Sequence, residues 1–321
     1  MARRPTPLTR RHLIGLASST LLVGCAAPAI VTRDGTRDPF EGGIGGTGIV
    51  GTLTDFGSLR INGLRVELTD QTRIVTALGP VSDSALAVGQ TLTIAANRTR
   101  DRLIARHVRI DHPLVGTLAQ LGGQLSVNGV ALRAEADAVR RANVGDRVAV
   151  SGLWTPSGVV ASRIDPAPFS EDLVAGDVSR DGPALRVGGV PIFAGAGQSF
   201  PPSGSYLVAT GRLSEAGFVT ERAATGRFVT GAGALRQLAV EGYLERTASA
   251  PGFRIAGLGH SFADDARLAS LAQQRSIFVG PYDGLFGPLG GYPVPEGFAR
   301  RRGLLRDGYE GRLGDGVIDT A

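Results

Sequence analysis

From Ile49 onward the chain runs in short alternations of apolar and polar residues, interrupted every few positions by glycine. A period of two sends successive side chains to opposite faces of a strand, so the pattern predicts many short, half-buried strands. A longer cycle lies over it. Four times an apolar strand runs through a central glycine: Ile49-Val50-Gly51-Thr52-Leu53, Leu114-Val115-Gly116-Thr117-Leu118, Val174-Ala175-Gly176-Asp177-Val178 and Val240-Glu241-Gly242-Tyr243-Leu244. The four glycines stand 65, 60 and 66 residues apart, the spacing of an internal repeat.

A hairpin follows in each cycle. Leu59 and Ile61 alternate with Arg60 and Asn62; beyond Gly63, Leu64, Val66 and Leu68 alternate with Arg65 and Glu67. The second cycle reads Leu125-Ser126-Val127-Asn128-Gly129-Val130-Ala131-Leu132, and the third Leu185-Arg186-Val187-Gly188-Gly189-Val190-Pro191-Ile192. Asn-Gly and Gly-Gly between alternating runs predict two-residue turns, because both turn residues need positive φ. The fourth copy, Phe253-Arg254-Ile255-Ala256-Gly257-Leu258, is weaker.

A linking segment comes next, with short helices predicted over Glu135 to Asn143 and over Asp264 to Arg275. In the latter, Ser261 and Asp264 make a capping-box pattern, and Leu268, Leu271 and Ala272 share a face. Two strands close each cycle: Gly89–Ile94 with Leu103–Val108, Gly145–Val150 with Val159–Ile164, and Gly204–Val208 with Phe218–Arg222. In the fourth cycle Gly297-Phe298-Ala299-Arg300 is the expected closing element, after a long insertion.

Five strands per cycle predict an all-β fold of tandem small five-stranded OB-like β-barrel repeats with short helices. One continuous β-sandwich built by duplication is the competing arrangement. The full strand set in each cycle favours separate barrels, which close their own edges. The expected partition is 1–24 signal peptide, 25–48 lipid-anchored flexible tether, 49–111, 112–168 and 169–226 as barrel repeats, 227–238 linker, 239–303 a divergent fourth repeat, and 304–321 a C-terminal tail.

The first 48 residues follow a different pattern. Residues 1–12 are basic and polar, and Leu13–Gly24 is a twelve-residue apolar run. That is the length of a signal-peptide core and too short to cross about 30 Å of hydrocarbon at about 1.5 Å per residue. Leu22-Val23-Gly24-Cys25 reads as a lipobox, which implies cleavage before Cys25 and lipid on its sulfur. Arg10 and Arg11, directly before the apolar run, resemble a twin-arginine export motif; Leu13-Ile14 departs from the Phe-Leu that motif prefers, and an ordinary basic leader is the alternative. Ala26 after the cysteine points to the outer membrane, facing the periplasm. Residues 26–48 lack periodicity and read as a tether.

Charge and composition narrow the function. The formal charge of +5 draws on Arg3, Arg4, Arg10 and Arg11 in the acid-free leader, which leaves +1 for the rest. No polyanion footprint remains, and nucleic acid is not an expected partner. All 34 basic residues are arginine, so lysine-dependent phosphate binding, Schiff-base and Ser-Lys chemistry are excluded. Cys25 is the single cysteine, which excludes an intramolecular disulfide, a cysteine metal site or a redox pair; acylation explains its presence in an exported chain.

Several of these phrases carry a family resemblance. The glycine-centred strand, the Val127-Asn128-Gly129-Val130 hairpin, the run from Val144 to Gly152 (Val-Gly-Asp-Arg-Val-Ala-Val-Ser-Gly) and the Ala161-Ser162-Arg163-Ile164 ending resemble the bacterial family called domain of unknown function 5666. Residues 113–166 carry the resemblance most completely, the first and third cycles well, and the fourth in part. It implies exported small β-barrel repeats and brings no catalytic residue.

Individual motifs add little chemistry. Gly43-Ile44-Gly45-Gly46-Thr47-Gly48 matches G-x-G-x-x-G, but a tether precedes it and a strand follows, so it reads as linker rather than nucleotide loop. His107, His112 and His260 lack partners at metal-ligand spacing. His260 and Ser261 with Asp264 and Asp265 crowd one predicted helix start, where capping accounts for them. Arg60, Arg65, Arg133 and Arg186 lie on second and third strands without the aromatics that stack nucleic-acid bases. Trp154 ends a predicted core strand.

The aromatic stretch Phe278, Tyr282, Phe286, Tyr292 and Phe298 either packs over the fourth repeat or offers Tyr282, Phe286 and Tyr292 to a glycan or partner. The expected function is a non-enzymatic binding or scaffolding module of the cell envelope, held at the membrane through Cys25, with an envelope protein or glycan as partner. No catalytic residue, metal site or cofactor is expected. The alternative is a cell-wall or glycan hydrolase using an unplaced pair of carboxylates.

Overall fold

The computed structural model describes residues 46–99, 102–134, 138, 142–167, 169–181, 184–195, 199–228, 235–247, 252–259, 261–263 and 266–307. Arg10, Arg11, Leu22, Val23, Gly24, Cys25, His260, Asp264, Asp265 and most of the segment 135–143 lie outside the described residues. The fold is all-β, with two short α-helices and one short 3-10 helix among the described residues.

The first cycle forms β1 (Gly46–Asp55), β2 (Leu59–Ile61), β3 (Leu64–Glu67), β4 (Arg73–Thr76), β5 (Gly79–Pro80), β6 (Thr91–Thr99) and β7 (Arg102–Asp111). The second forms β8 (Leu114–Leu121), β9 (Gln124–Val127), β10 (Val130–Ala134), β11 (Arg147–Thr155) and β12 (Gly158–Pro166). The third forms β13 (Asp172–Asp181), β14 (Ala184–Val187), β15 (Val190–Ala194), β16 (Tyr206–Ser214) and β17 (Gly217–Thr225). The fourth forms β18 (Leu235–Arg246), β19 (Gly252–Ile255), β20 (Ser261–Ala263), α1 (Ala266–Ala269), β21 (Arg275–Pro281), β22 (Gly290–Pro293) and α2 (Phe298–Asp307).

Three cycles share one pairing order. In the second, hydrogen bonds run β8-β9-β10-β12-β11 and return to β8. The third repeats this as β13-β14-β15-β17-β16 and back to β13. The first runs β1-β2-β3-β7-β6 and back to β1, with the β4–β5 hairpin added along β7. In each, the strand before the final one carries a register shift, at Ala95/Ala96, Ser151/Gly152 and Thr210/Gly211. A bulge there bends the strand so that it can pair on both sides of a curled sheet. In the fourth cycle β19 and β20 extend one side of β18, β21 and β22 the other, and no pairing joins β20 to β22 among the described residues.

The cycles associate out of sequence order. β1 pairs in parallel with β18, from Gly46↔Leu235 to Val50↔Val240, which joins the first cycle to the fourth in a 12-stranded sheet. β8 pairs antiparallel with β13 at Val115↔Leu173 and Leu114↔Val174, which joins the second to the third in a 10-stranded sheet.

The glycine-centred strand and the Asn-Gly turn act together at these seams. Asn62 and Asn128 both sit at φ +53°, a left-handed conformation that asparagine tolerates. Asn62 Nδ2 donates to the carbonyls of Val50 (2.9 Å) and Ala239 (3.0 Å); Asn128 Nδ2 donates to those of Val115 and Leu173, both at 3.0 Å. Each amide thus ties its own first strand to the neighbouring cycle. A Cβ on Gly51 would lie 2.1 Å from Asn62 Oδ1, and one on Gly116 2.3 Å from Asn128 Oδ1, so the strand centre must be glycine. The third cycle has Gly188 at that turn position. Trp154 of β11 takes over there, its Nε1–H donating to the Ala175 carbonyl at 2.8 Å.

The cores follow the same grouping. One cluster combines first-cycle residues with Ala239, Ile277, Val279, Val294 and Leu305 of the fourth; a second fills the second and third cycles together; a third holds most of the fourth, with Val50.

Several expectations need correction. The segment Asp264–Arg275 is helical only over α1; Gln273 turns at φ +63°, and Arg275 opens β21 because its guanidinium is drawn into a buried ion cluster. Gly297–Arg300 starts α2 instead of closing the fourth cycle, since the Arg301 N–H donates to the Gly297 carbonyl; β22 takes the closing place. Gly46–Gly48 already belong to β1 and are buried, and β18 begins at Leu235, inside the segment read as linker. The boundary expected at residue 304 falls within α2.

Candidate functional site

Two buried ion clusters fix the cycles against one another. Glu241 stands where the other cycles have Val50, Val115 and Ala175. Its carboxylate accepts the Thr52 N–H at 2.7 Å and Arg275 Nε at 2.7 Å, and faces Arg301 Nε at 3.4 Å. Arg275 also donates to Thr52 Oγ1 (2.9 Å), and Arg301 to the carbonyls of Pro295 (3.0 Å) and Glu296 (2.7 Å). β1, β18, β21 and α2 therefore meet on one carboxylate. Burial by itself would raise the Glu241 pKa, but Arg275, Arg301 and the Thr52 N–H together hold it below the usual range.

Asp111, at the end of β7, anchors the second cluster. It accepts Arg109 Nε at 2.6 Å and the Thr93 hydroxyl, and faces Arg227 Nη2 at 3.5 Å. Arg227 reaches on to the Gly257 carbonyl (2.9 Å) and Thr93 Oγ1 (3.2 Å). Both guanidiniums lie over the Tyr206 ring, at 4.8 Å for Arg227 and 5.6 Å for Arg109, a cation–π arrangement. Burial opposes ionisation of Asp111, yet Arg109 and Arg227 bring its pKa below the ordinary value. Neighbouring His112 is buried, and desolvation pushes its pKa down against the pull of Asp111 and Asp165.

The open counterpart is a cleft of about 330 Å3 between the second and fourth cycles. Gln124, Ala131, Arg133 and the turn Thr155–Val159 supply one wall, Tyr243 and Gln273 the other. The Tyr243 ring packs on Leu153 and Val160, and its hydroxyl donates to Glu296 Oε2 at 2.6 Å. Arg133 Nη2 lies 3.6 Å from the same oxygen. Burial, and then the Glu296 hydrogen bond, push the Tyr243 pKa up, although Arg275 pulls it down. Gln273 holds its φ of +63° while its N–H donates to the Leu244 carbonyl at 3.0 Å. A non-glycine residue in that region stores strain that its surroundings must fix.

Glu296 is the carboxylate beside the cleft. Asp177 and Glu245 are also brought together, but both bind Arg254, Asp177 at 2.9 Å. Burial raises Glu245, Arg254 lowers it and Asp177 adds to the rise, with the net shift upward. Among the described residues, no group of three or more His, Cys, Asp or Glu is placed to hold a metal ion.

The aromatic stretch lies elsewhere. Phe286 is buried in the fourth-cycle core, Tyr282 packs half-buried against it with its ring 6.0 Å from Phe228, and Tyr292 packs on the first-cycle core. Phe286 so buried has no face for stacking on a glycan. Trp154 is buried at the junction of cycles, His107 is half-buried beside Arg73 and Arg106, and Arg65 bonds Ser58 on its own hairpin. Of the arginines singled out in the sequence, Arg133 reaches the cleft. Tyr243, Gln273 and Glu296 gave no local signal, since they come from three separate segments of the fourth cycle. Glu241 did give one: an acid in a position that is apolar in the other three copies.

Residues 47–109 match the family model described as Domain of unknown function (DUF5666). That match spans the first cycle. The match falls on that cycle, whereas the resemblance in the sequence was fullest over 113–166. No curated protein and no solved structure matches the chain. The DUF5666 segment supplies Thr52, Thr93 and Arg109 to the ion clusters, so its contribution is to the seams rather than to the cleft.

Proposed function

We propose that the protein is an exported lipoprotein of the cell envelope, anchored in the outer membrane through lipidated Cys25 and facing the periplasm. Its body acts as a non-enzymatic binding or scaffolding module made of OB-like barrels. The pairing order shared by the first three cycles supports the barrel reading, and the leader with its Leu22–Cys25 lipobox supports the anchor. The observation that carries the binding role is the cleft, whose polar walls come from the second and fourth cycles where Tyr243 packs on Leu153 and Val160. Such pre-organised polar walls suit recognition. Against the alternative of a glycan hydrolase, the carboxylates of Asp177 and Glu245, which the fold brings together, are both engaged by Arg254.

Metabolic labelling with palmitate tests the anchor: the wild-type chain incorporates label and Cys25→Ser does not, and equal incorporation refutes it. Crosslinking and pull-down from membranes tests the binding role. The wild type recovers an envelope partner that Arg133→Glu loses, whereas equal recovery removes the cleft from the account.

A further inference from the structure

We propose that the cleft between the second and fourth cycles is a saccharide site that takes a short, uncharged oligosaccharide. The inference rests on the binding role above and names its ligand class. At about 330 Å3 the cleft falls in the size range of small-ligand sites. Its one lining cation, Arg133, already faces the Glu296 carboxylate at 3.6 Å, so the site offers no net positive charge to a phosphate, a nucleic acid or an anionic headgroup. The side chains are 63% and 49% exposed, free to exchange water for ligand hydroxyls.

The remaining polar groups are mixed donors and acceptors: the amides of Gln124 and Gln273 and the hydroxyls of Thr155 and Ser157. Planar amide, guanidinium and carboxylate groups present two polar atoms side by side, the spacing that neighbouring ring hydroxyls match. The apolar surface of Pro156 lies among them and suits the C–H face of a sugar ring. Part of the wall is fixed in advance: the Gln273 backbone is held at φ +63° and the Tyr243 hydroxyl is pinned to Glu296 at 2.6 Å, which lowers the ordering cost of binding.

Calorimetric titration of the full chain with chitotetraose and with maltotetraose tests the assignment, with an octathymidylate strand as comparator. At least one saccharide should bind saturably. Arg133→Ala and Gln273→Gly, the latter keeping the backbone conformation, should each weaken it about tenfold or more without moving the thermal midpoint. Absence of saturable heat with both saccharides up to about 10 mM would overturn the proposal, where even weak sites register. So would binding that both variants leave unchanged, or tighter binding of the oligonucleotide. The titration uses free saccharides and the pull-down an envelope partner, so a failed titration beside Arg133-dependent recovery overturns the ligand class alone, while failure of both removes the binding role.

Discussion

Trp154 lies so close over Gly188 that a Cβ on the glycine would come within 2.2 Å of the indole. Gly188 occupies the turn position that Asn62 and Asn128 fill in the first two cycles, at nearly the same backbone angle, φ +54°. The indole of the second cycle has therefore replaced the asparagine of the third. Replacing Trp154 with alanine should cost about 3–5 kcal/mol in urea unfolding, the usual range for a large buried aromatic. Gly188→Asn should destabilise by itself, through collision with the ring. In the double variant the new amide enters the space left by the indole, so its loss should be smaller than the sum of the two. Simple additivity would show that the sites are not exchanged in this way.

Asn62 and Asn128 predict separable effects on the two seams. Asn62→Ala leaves the carbonyls of Val50 and Ala239 without that donor, and Asn128→Ala does the same for Val115 and Leu173. Each change should destabilise by about 1–3 kcal/mol, the cost of leaving buried polar groups unsatisfied. Hydrogen exchange should report where: protection should drop along β1 and β18 in the first variant, and along β8 and β13 in the second.

Glu241→Gln removes the one carboxylate that two buried guanidiniums share. Leaving buried charge uncompensated should cost about 3–5 kcal/mol, well above the effect of breaking the exposed Arg212–Glu221 pair, which should stay within about 1 kcal/mol. Equal effects in chemical denaturation would deny the cluster its place at the seam.

Acid should weaken the protein in two stages. His112 has its pKa pushed below 6.5 by burial, so the unfolded chain binds a proton that the folded chain refuses; this stability is complete above pH 6.5 and drains as pH falls. Asp111 and Glu241 are held below 3.8 and 4.5, so their contribution is intact above those values and is lost as pH drops through them. Glu245, raised above 4.5, works in the opposite sense: as pH falls toward 4.5 the folded chain takes up its proton first, which offsets part of the upper stage. The thermal midpoint should fall from pH 6.5 downward and more steeply below 4.5, and His112→Gln should erase the upper stage alone.

The features legible in the sequence are those whose physics is local. Alternation marked the strands, and the Asn62-Gly63 and Asn128-Gly129 pairs marked their turns, because both depend on a few adjacent residues. The position of Gly51 opposite Asn62 could be read as a strand centre but not as room for an amide. Which cycles pair was not legible, since the β1–β18 register joins Ile49 to Ala239 and Val50 to Val240, apolar strand residues of a kind that recurs in every copy. The cleft was hidden for a related reason: Arg133 is one of several strand arginines until Tyr243 and Glu296 arrive beside it. The stretch from Phe278 to Phe298 attracted attention by composition, yet Phe286 is core, packed with Phe253, Leu268 and Phe278 in the fourth cycle.

The parallel seam between β1 and β18 also sets a timetable. The Thr52 N–H and the carboxylate that receives it are separated by 189 residues, so β1 leaves the ribosome long before the strand that completes it. Until residues 235–246 are made, β1 has an unsatisfied edge, and contacts this distant slow folding while open edges invite misassembly. A chain delivered across a membrane as an extended thread would expose that edge at every crossing. One finished beforehand would never expose it.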